Sequence, residues 1–557
     1  MPVDLAEESV DLTIELLEAG PPTPESYPYP SLSLTGRSDQ KTFRVVILEN
    51  PFLRATIIPE LGGRILRLED KRTQTDVWPY ASKLALSKGG NRGVACNAGL
   101  EILTGFGPRL NSMGLVSSSP DFSDDDEGPA GLWWGELCGN GLSLNVRYSM
   151  PPDEACIEIE VRAFNRTLRP NPYNGGFSFG QVDWIRSDSA WLTANGLLAV
   201  PAETQFAHAE GGSLHRFDRM RYLAPRQLDS WSVRLYPFKG VADLKNASQS
   251  LAVGWSRDSL NIQSSREILG GKIVVRTSSD ASLELPADLR PEHLASFSLE
   301  SVPDGIVELV VLDARKTELI RATELGPVYA GSRKAVELPP QELDSSRLQE
   351  ETFAIAHRHL AHLQLGYEKL TEREYSKAAA CFEQSLLFNA EDHLTWWIKA
   401  VAERLAGNVE EDRPELLNAH FLAPLEPALR AESYLASPSQ AREKSAVLNP
   451  LEEAPETFIE IACLLIEANL LEEASKWIDE SIRHLDMPML RYLLAYAYLM
   501  GSRMEVQAAE QVQLAVRQQA EPPYPWRPVE IQALEHLAKR FPADGSLARM
   551  LAITSRT

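Results

Sequence analysis

The sequence is short of basic residues, of cysteine and of long apolar runs. Its 55 lysines and arginines face 78 aspartates and glutamates, a net charge of −23 at pH 7 with histidine neutral. A field of that sign repels phosphate backbones and anionic lipid, so neither nucleic acid nor a membrane surface is an expected partner. The five cysteines (Cys96, Cys138, Cys156, Cys381, Cys463) are dispersed, odd in number and never in a Cys-x-x-Cys pair. That excludes a disulfide framework and a zinc ribbon, and suits a reducing compartment. No apolar run of about 18 residues occurs, so no membrane-spanning helix is expected. The opening Met1–Glu8 is acidic and lacks the basic-then-apolar order of a signal peptide, which gives a cytoplasmic location as the expectation. Phosphate loops, Gly-x-Gly-x-x-Gly after a strand and His-Glu-x-x-His are also missing, so no cofactor is expected. His357, His359 and His362 are close in sequence, but at about 100° per residue they spread around a helix and do not form a metal triad.

What is present divides by period. Val10, Leu12, Ile14 and Leu16 alternate with polar residues, as one buried face of a strand does. A Pro- and Ser-rich stretch follows from Gly20 to Pro30, then β-rich runs at Thr42–Leu48 and Leu53–Ile58 around the turn Glu49-Asn50-Pro51. The alternating runs 142–148 and 157–163, separated by Pro151-Pro152-Asp153, read as a hairpin. Further β runs occur at Leu251–Trp255, Leu260–Gln263, Lys272–Thr277, Ser282–Leu285, Leu294–Leu299 and Ile306–Leu312. Many short strands without alternating helices predict a large antiparallel sandwich or barrel.

From Glu351 the period becomes helical. Ala378, Phe382, Ser385 and Leu386 share one helix face, and Ala474, Ile478, Ser481 and Ile482 repeat the spacing. Small residues flanking a larger one at that interval make the seam of a tetratricopeptide-like helix pair, and Gly366 supplies a small residue on the preceding helix. Trp396 opens a further helix closed by Gly407-Asn408, and 488–501 with 504–518 makes another pair. Ala378 and Ala474 are not a whole number of ~34-residue repeats apart. The stretch between them, with Pro414, Pro424, Pro427 and Pro438, is therefore expected to be irregular. The expected organisation is a β-sandwich over 1–340, a linker at 341–350 and helical repeats over 351–557. The acidic run Asp124–Glu127 reads as a solvated loop.

Five segments carry a family resemblance. Leu48-Glu49-Asn50 with Ile58-Pro59-Glu60-Leu61-Gly62-Gly63-Arg64-Ile65 is the most specific. Ala98-Gly99-Leu100-Glu101 and the strand ending in Asn165-Arg166-Thr167 agree with it, as do Ala423–Pro427 and Trp526–Glu530. Together they resemble a bacterial family of unknown function that joins a galactose-mutarotase-like β-sandwich to C-terminal tetratricopeptide repeats. The resemblance implies a carbohydrate ligand on the concave face of the larger sheet and a protein or peptide partner for the repeats. It implies no known reaction, and fold analogy alone does not fix one. The sequence departs from the pattern after Glu101, where no histidine follows until His208, and the His-x-Tyr-Phe-Asn segment of mutarotases is absent.

Chemistry at an anomeric carbon needs a proton donor and an acceptor. The candidates for those roles are Glu101, after a Gly-containing turn, Asp183, beside Trp184, and His208, before Gly211-Gly212. Arg64, after Gly62-Gly63, is the candidate to fork onto sugar hydroxyls. Trp133, Trp134 and Trp184 are candidates to stack on a sugar face. Three readings stay open: an epimerase-like or glycosidase-like enzyme, a carbohydrate-binding or sensing protein, and a non-catalytic scaffold whose sandwich caps a protein-binding repeat array.

Overall fold

The computed structural model describes residues 3–104, 113–122, 129–138, 140–178, 184–186, 191–193, 197–201, 206, 208–210, 213–217, 220–279, 281–299, 305–324, 328–329, 357–408, 413–436, 456–518, 524–542 and 545–554. An antiparallel β part precedes an α-helical part, as the two periods predict. The expected linker at 341–350 and the acidic run 124–127 lie outside the described residues.

A five-stranded sheet is built from Asp4–Gly20, Ser31–Glu49, Leu53–Ile58, Arg64–Asp70 and Thr75–Asp76 in that order. Its inner face, with Val46, Leu48, Ala55, Ile57 and Leu68, packs on the inner face of a nine-stranded sheet through Leu132, Trp134, Leu144, Val146 and Val161. Period-2 sequences put every second side chain into this shared core. The expected hairpin is present: Leu142–Ser149 pairs antiparallel with Ile157–Asn165. The turn at Glu49-Asn50-Pro51 is tied by the Asn50 side chain. Its Oδ1 accepts from the Phe52 and Leu53 amides at 2.9 and 2.8 Å, and its Nδ2 donates to the Pro151 and Glu154 carbonyls, both at 2.8 Å. The later runs form a smaller sandwich of two four-stranded sheets, 244–298 and 268–323, with a core of its own around Val253, Ile262, Ile273 and Val311. The period of two is the same in both sandwiches, which is why the sequence did not separate them.

The helical seams are as expected. Ala378, Phe382, Ser385 and Leu386 are all buried on helix Tyr375–Phe388. Gly366 of helix Arg358–Thr371 lies under Phe382, where an added Cβ would stand 2.3 Å from a ring carbon. The proline-rich stretch, expected to depart from a regular repeat, is helical where it is described. It contains the helices Pro414–Leu422, Pro427–Ala436 and Glu456–Glu467, two of which begin at a proline. Proline is tolerated in a first helical turn because its missing N–H has no partner there anyway. No described helix is long and apolar enough to cross a membrane.

The helices dock on the outer face of the nine-stranded sheet. Phe164 joins their core and its ring lies tilted against His393, with centroids 4.3 Å apart. Arg166 reaches into them to pair with Glu426 and, at 2.6 Å, with Glu460.

Candidate functional site

The short helical turn Pro59–Leu61 ends in two glycines, Gly62 and Gly63, both with left-handed backbones at φ 72° and 69°. Only glycine adopts two such residues readily. Gly63 is also pinned by packing, because an added Cβ would stand 2.6 Å from the Trp134 ring. The Tyr148 hydroxyl donates to the Gly63 carbonyl at 2.9 Å. The turn aims Arg64 inward, where it is 2% exposed. Its Nη1 donates to the Ala98 carbonyl at 2.7 Å and its Nη2 to Glu101 Oε2 at 2.8 Å. Burial alone would lower the Arg64 pKa, and Glu101 reverses this to leave it raised. Gly99, at φ 66°, lets the second segment pass close to Ile65, whose carbonyl oxygen an added Cβ would approach to 2.3 Å. The two sequence segments flagged separately are thus one structure, closed by a buried ion pair.

Glu101 opens the strand Glu101–Leu103, the edge of a four-stranded ladder ordered 208–210, 213–215, 176–178, 101–103. Glu101 stands opposite Ser178, and Ser178 opposite Ser213. Two residues along, Gly176 stands opposite His215 and position 208 opposite His215 on its other side. These rows share one face of the pleat, and Ile102, Phe177 and Leu214, all fully buried, take the other. The polar face is half-open at Ser178, Ser213 and His215. Glu101 is 8% exposed, and its Oε1 and the Arg64 Nε have no hydrogen-bond partner among the described residues.

The structure therefore brings Arg64 and Glu101 together and puts position 208 in the same ladder. That position lies three strand spacings across and two residues along from 101, about 16 Å. Asp183 lies outside the described residues, and Trp184 lies in a three-residue strand of the nine-stranded sheet. Trp133 and Trp134 do not offer open ring faces. Trp134 is 0% exposed and packs on Gly63. Trp133 is buried under the Arg162 guanidinium at 4.9 Å, and Arg162 also donates to the Phe421 carbonyl on the helical side. Alternation in the strand Pro129–Leu137 forces this: one tryptophan faces the core and its neighbour the helices.

Sequence reasoning missed a second cluster on the core side of the ladder. The Trp231 indole donates to the Tyr173 hydroxyl at 3.0 Å, and Arg216 pairs with Asp229 beside them. Burial raises the Asp229 carboxyl against the opposing pull of Arg216, and burial pushes the Tyr173 phenol up. These residues come from three separate segments, Asp229 and Trp231 sharing one strand, and no local spacing links that strand to Tyr173 or Arg216. The Asn165-Arg166-Thr167 motif has a structural explanation. Asn165 is fully buried, its Oδ1 accepts from the Thr167 amide at 3.0 Å, and its Nδ2 donates to the Leu223 carbonyl at 2.9 Å.

Both glycine turns, Glu101 and the Asn165 knot fall within one matched region. Residues 22–178 match a domain of unknown function, DUF5107. Among solved structures, the chain is similar to a TPR-domain containing protein from Parabacteroides distasonis at 15% identity and a TM-score of 0.31, over 96% of this chain and 95% of that one. It is similar to a galactose mutarotase-like protein from Clostridium acetobutylicum at 9% identity and a TM-score of 0.24, over 35% of this chain and 95% of that one. It is also similar to a galactose 1-epimerase from Lactobacillus acidophilus at 10% identity and a TM-score of 0.23, over 42% and 98%.

Proposed function

We propose that this protein binds carbohydrate on the face of the four-stranded ladder that carries Glu101, Ser178, Ser213 and His215. The second carboxylate oxygen of Glu101 carries the reading. It is buried and unpartnered among the described residues, beside an arginine whose Nε is equally unpartnered. A buried acceptor left unpaired costs about 1–3 kcal/mol. A sugar hydroxyl relieves both, donating its proton to Oε1 and accepting from Nε–H. Ser178 and Ser213 extend the same face with further hydroxyls that both donate and accept.

Binding needs only this polar face. Turnover at an anomeric centre needs a second ionisable group, and paired carboxyl groups in glycosidases stand within about 10 Å of each other. His208 at three strand spacings is farther than that, so binding comes first in this proposal. Epimerase-like or glycosidase-like action, with Glu101, Asp183 and His208 as the acid–base set, is its extension. The test is a melting-temperature screen of the full chain against mono- and oligosaccharides. A saturable rise with one sugar, lost in Glu101→Gln, is the expected result. A panel that leaves the melting temperature unmoved removes the reading.

One observation favours a second reading, a non-catalytic scaffold in which the sandwich caps a protein-binding repeat array. Arg166 of the sheet pairs with Glu426 and Glu460 of the helices, holding the repeats in one pose. That reading remains if no sugar shifts the melting temperature.

A further inference from the structure

Between the nine-stranded sheet and the helices lies a cavity of about 60 Å³, room for a few water-sized groups. The sheet contributes Gly135, Glu136, Ser143, Asn145 and Arg166, and the helical part contributes Glu426, Glu456 and Glu460. Four carboxylates and the Arg166 guanidinium thus line the cavity, and a second guanidinium, Arg527, also pairs with Glu460. Three of the carboxylates have the following partners. Glu426 is shared by Arg166 and His393, the latter at 3.1 Å. Glu460 gives Oε1 to Arg166 and Oε2 to Arg527. Glu456 takes the Tyr29 hydroxyl on Oε2 at 2.7 Å.

The cavity also has two orphans. Ser143 and Asn145 are each 7% exposed, and both Ser143 Oγ and Asn145 Oδ1 lack a hydrogen-bond partner among the described residues. They stand two residues apart on one strand, on the face turned to the helices. Their neighbours at the cavity wall are apolar: Leu115, Val116, Leu144, Leu425 and Pro427.

We propose that this cavity binds a small protonated amine with a short alkyl stem. An ammonium head has three donors and no acceptor, matching Asn145 Oδ1, Ser143 Oγ and the Glu456 carboxylate. Its charge answers the surplus of carboxylates, and the stem lies along the leucines and the proline. A divalent cation fits less well, because it asks for six or more oxygens and the arginines already hold two of the four carboxylates. A water molecule would satisfy the orphans but not the charge. Burial raises the Glu456 carboxyl, Arg527 and the Tyr29 hydroxyl oppose this, and Glu136 and Glu460 add to it. The site is distinct from the carbohydrate face proposed above and does not depend on it. Because both parts of the chain line the cavity, an occupant couples them.

The experiment uses the full chain and propylammonium chloride, with potassium chloride at equal ionic strength, magnesium chloride and glucose as parallel arms. Isothermal titration and melting temperature are both read. The expected result is saturable propylammonium binding with a rise in melting temperature. The affinity should fall at least tenfold in Ser143→Ala/Asn145→Ala and, as a second independent variant, in Glu456→Gln. Absence of propylammonium binding to the wild type overturns the proposal. So does equal binding in folded variants, and so does a response to magnesium or glucose in place of the amine.

Discussion

Arg64 Nη2 stands 2.8 Å from Glu101 Oε2, in a pair that is nearly closed to solvent and joins two segments 37 residues apart. Removing one partner strands the other charge in a low-dielectric site, at a cost of about 3–5 kcal/mol. Arg64→Ala and Glu101→Leu should each lower the stability of the full chain by about that amount. The double substitution should cost less than the sum of the two. Urea unfolding of the four proteins checks this, and strict additivity would show that the pair is not coupled.

Gly63 tests the turn. With φ at 69° and Trp134 where a Cβ would go, Gly63→Ala should destabilise by at least about 2 kcal/mol. Gly36, also at positive φ but with open space around it, should cost about 1 kcal/mol when replaced by alanine. Comparing the two separates packing from backbone strain.

Gly366 tests the helical seam. Helix propensity alone makes Gly366→Ala stabilising by about 1 kcal/mol. The Phe382 ring, 2.3 Å from the position of the added Cβ, makes it destabilising by about 1–3 kcal/mol. We expect the second, read as a lower melting temperature, with partial recovery in Gly366→Ala/Phe382→Leu.

Acid should weaken the joint between sheet and helices. Burial alone would raise Glu426, but Arg166 and His393 hold it down from an ordinary 4.5 to about 2. A carboxyl held low stabilises fully above its unfolded value and loses that contribution as pH falls through its folded value. Its share is on the order of 3 kcal/mol. Buried Glu456, Glu467 and Glu530 are raised and act in the opposite sense, losing stability as pH rises. The clean readout is therefore a difference. The stability gap between wild type and Glu426→Gln should be full at pH 6 and close progressively between about pH 4.5 and 2. A gap that does not change over that range contradicts the assignment.

The sequence showed each half of the Arg64–Glu101 pair but not the pair. Gly62-Gly63-Arg64 and Gly99-Leu100-Glu101 stood out because glycines at left-handed or crowded positions leave a visible mark. The ion pair depends on the bridge between Ile65 and Leu100, which local pattern does not encode. The strands from 251 to 312 and the helix seams at Phe382 and Ile478 were legible because burial imposes a period. The helices starting at Pro414 and Pro427 were not, since proline reads as a breaker until its place in the first turn is known. Trp133 and Trp134 looked alike as letters and differ only in which layer the pleat sends them to. The Arg216–Asp229 contact has no local signature at all.

Arg166 has a consequence for how the chain can be cut. It belongs to the sheet by sequence, yet its partners Glu426 and Glu460 belong to the helices, which also hold the Phe164 ring. A fragment ending after the strands would keep its sandwich but carry a bare guanidinium beside an exposed phenyl ring. The complementary fragment would carry two carboxylates over an open apolar seam. Each piece would be sticky, and each would be shaped to fit the other. The two parts should therefore reassociate when mixed, and a chain severed between them should still purify as one particle.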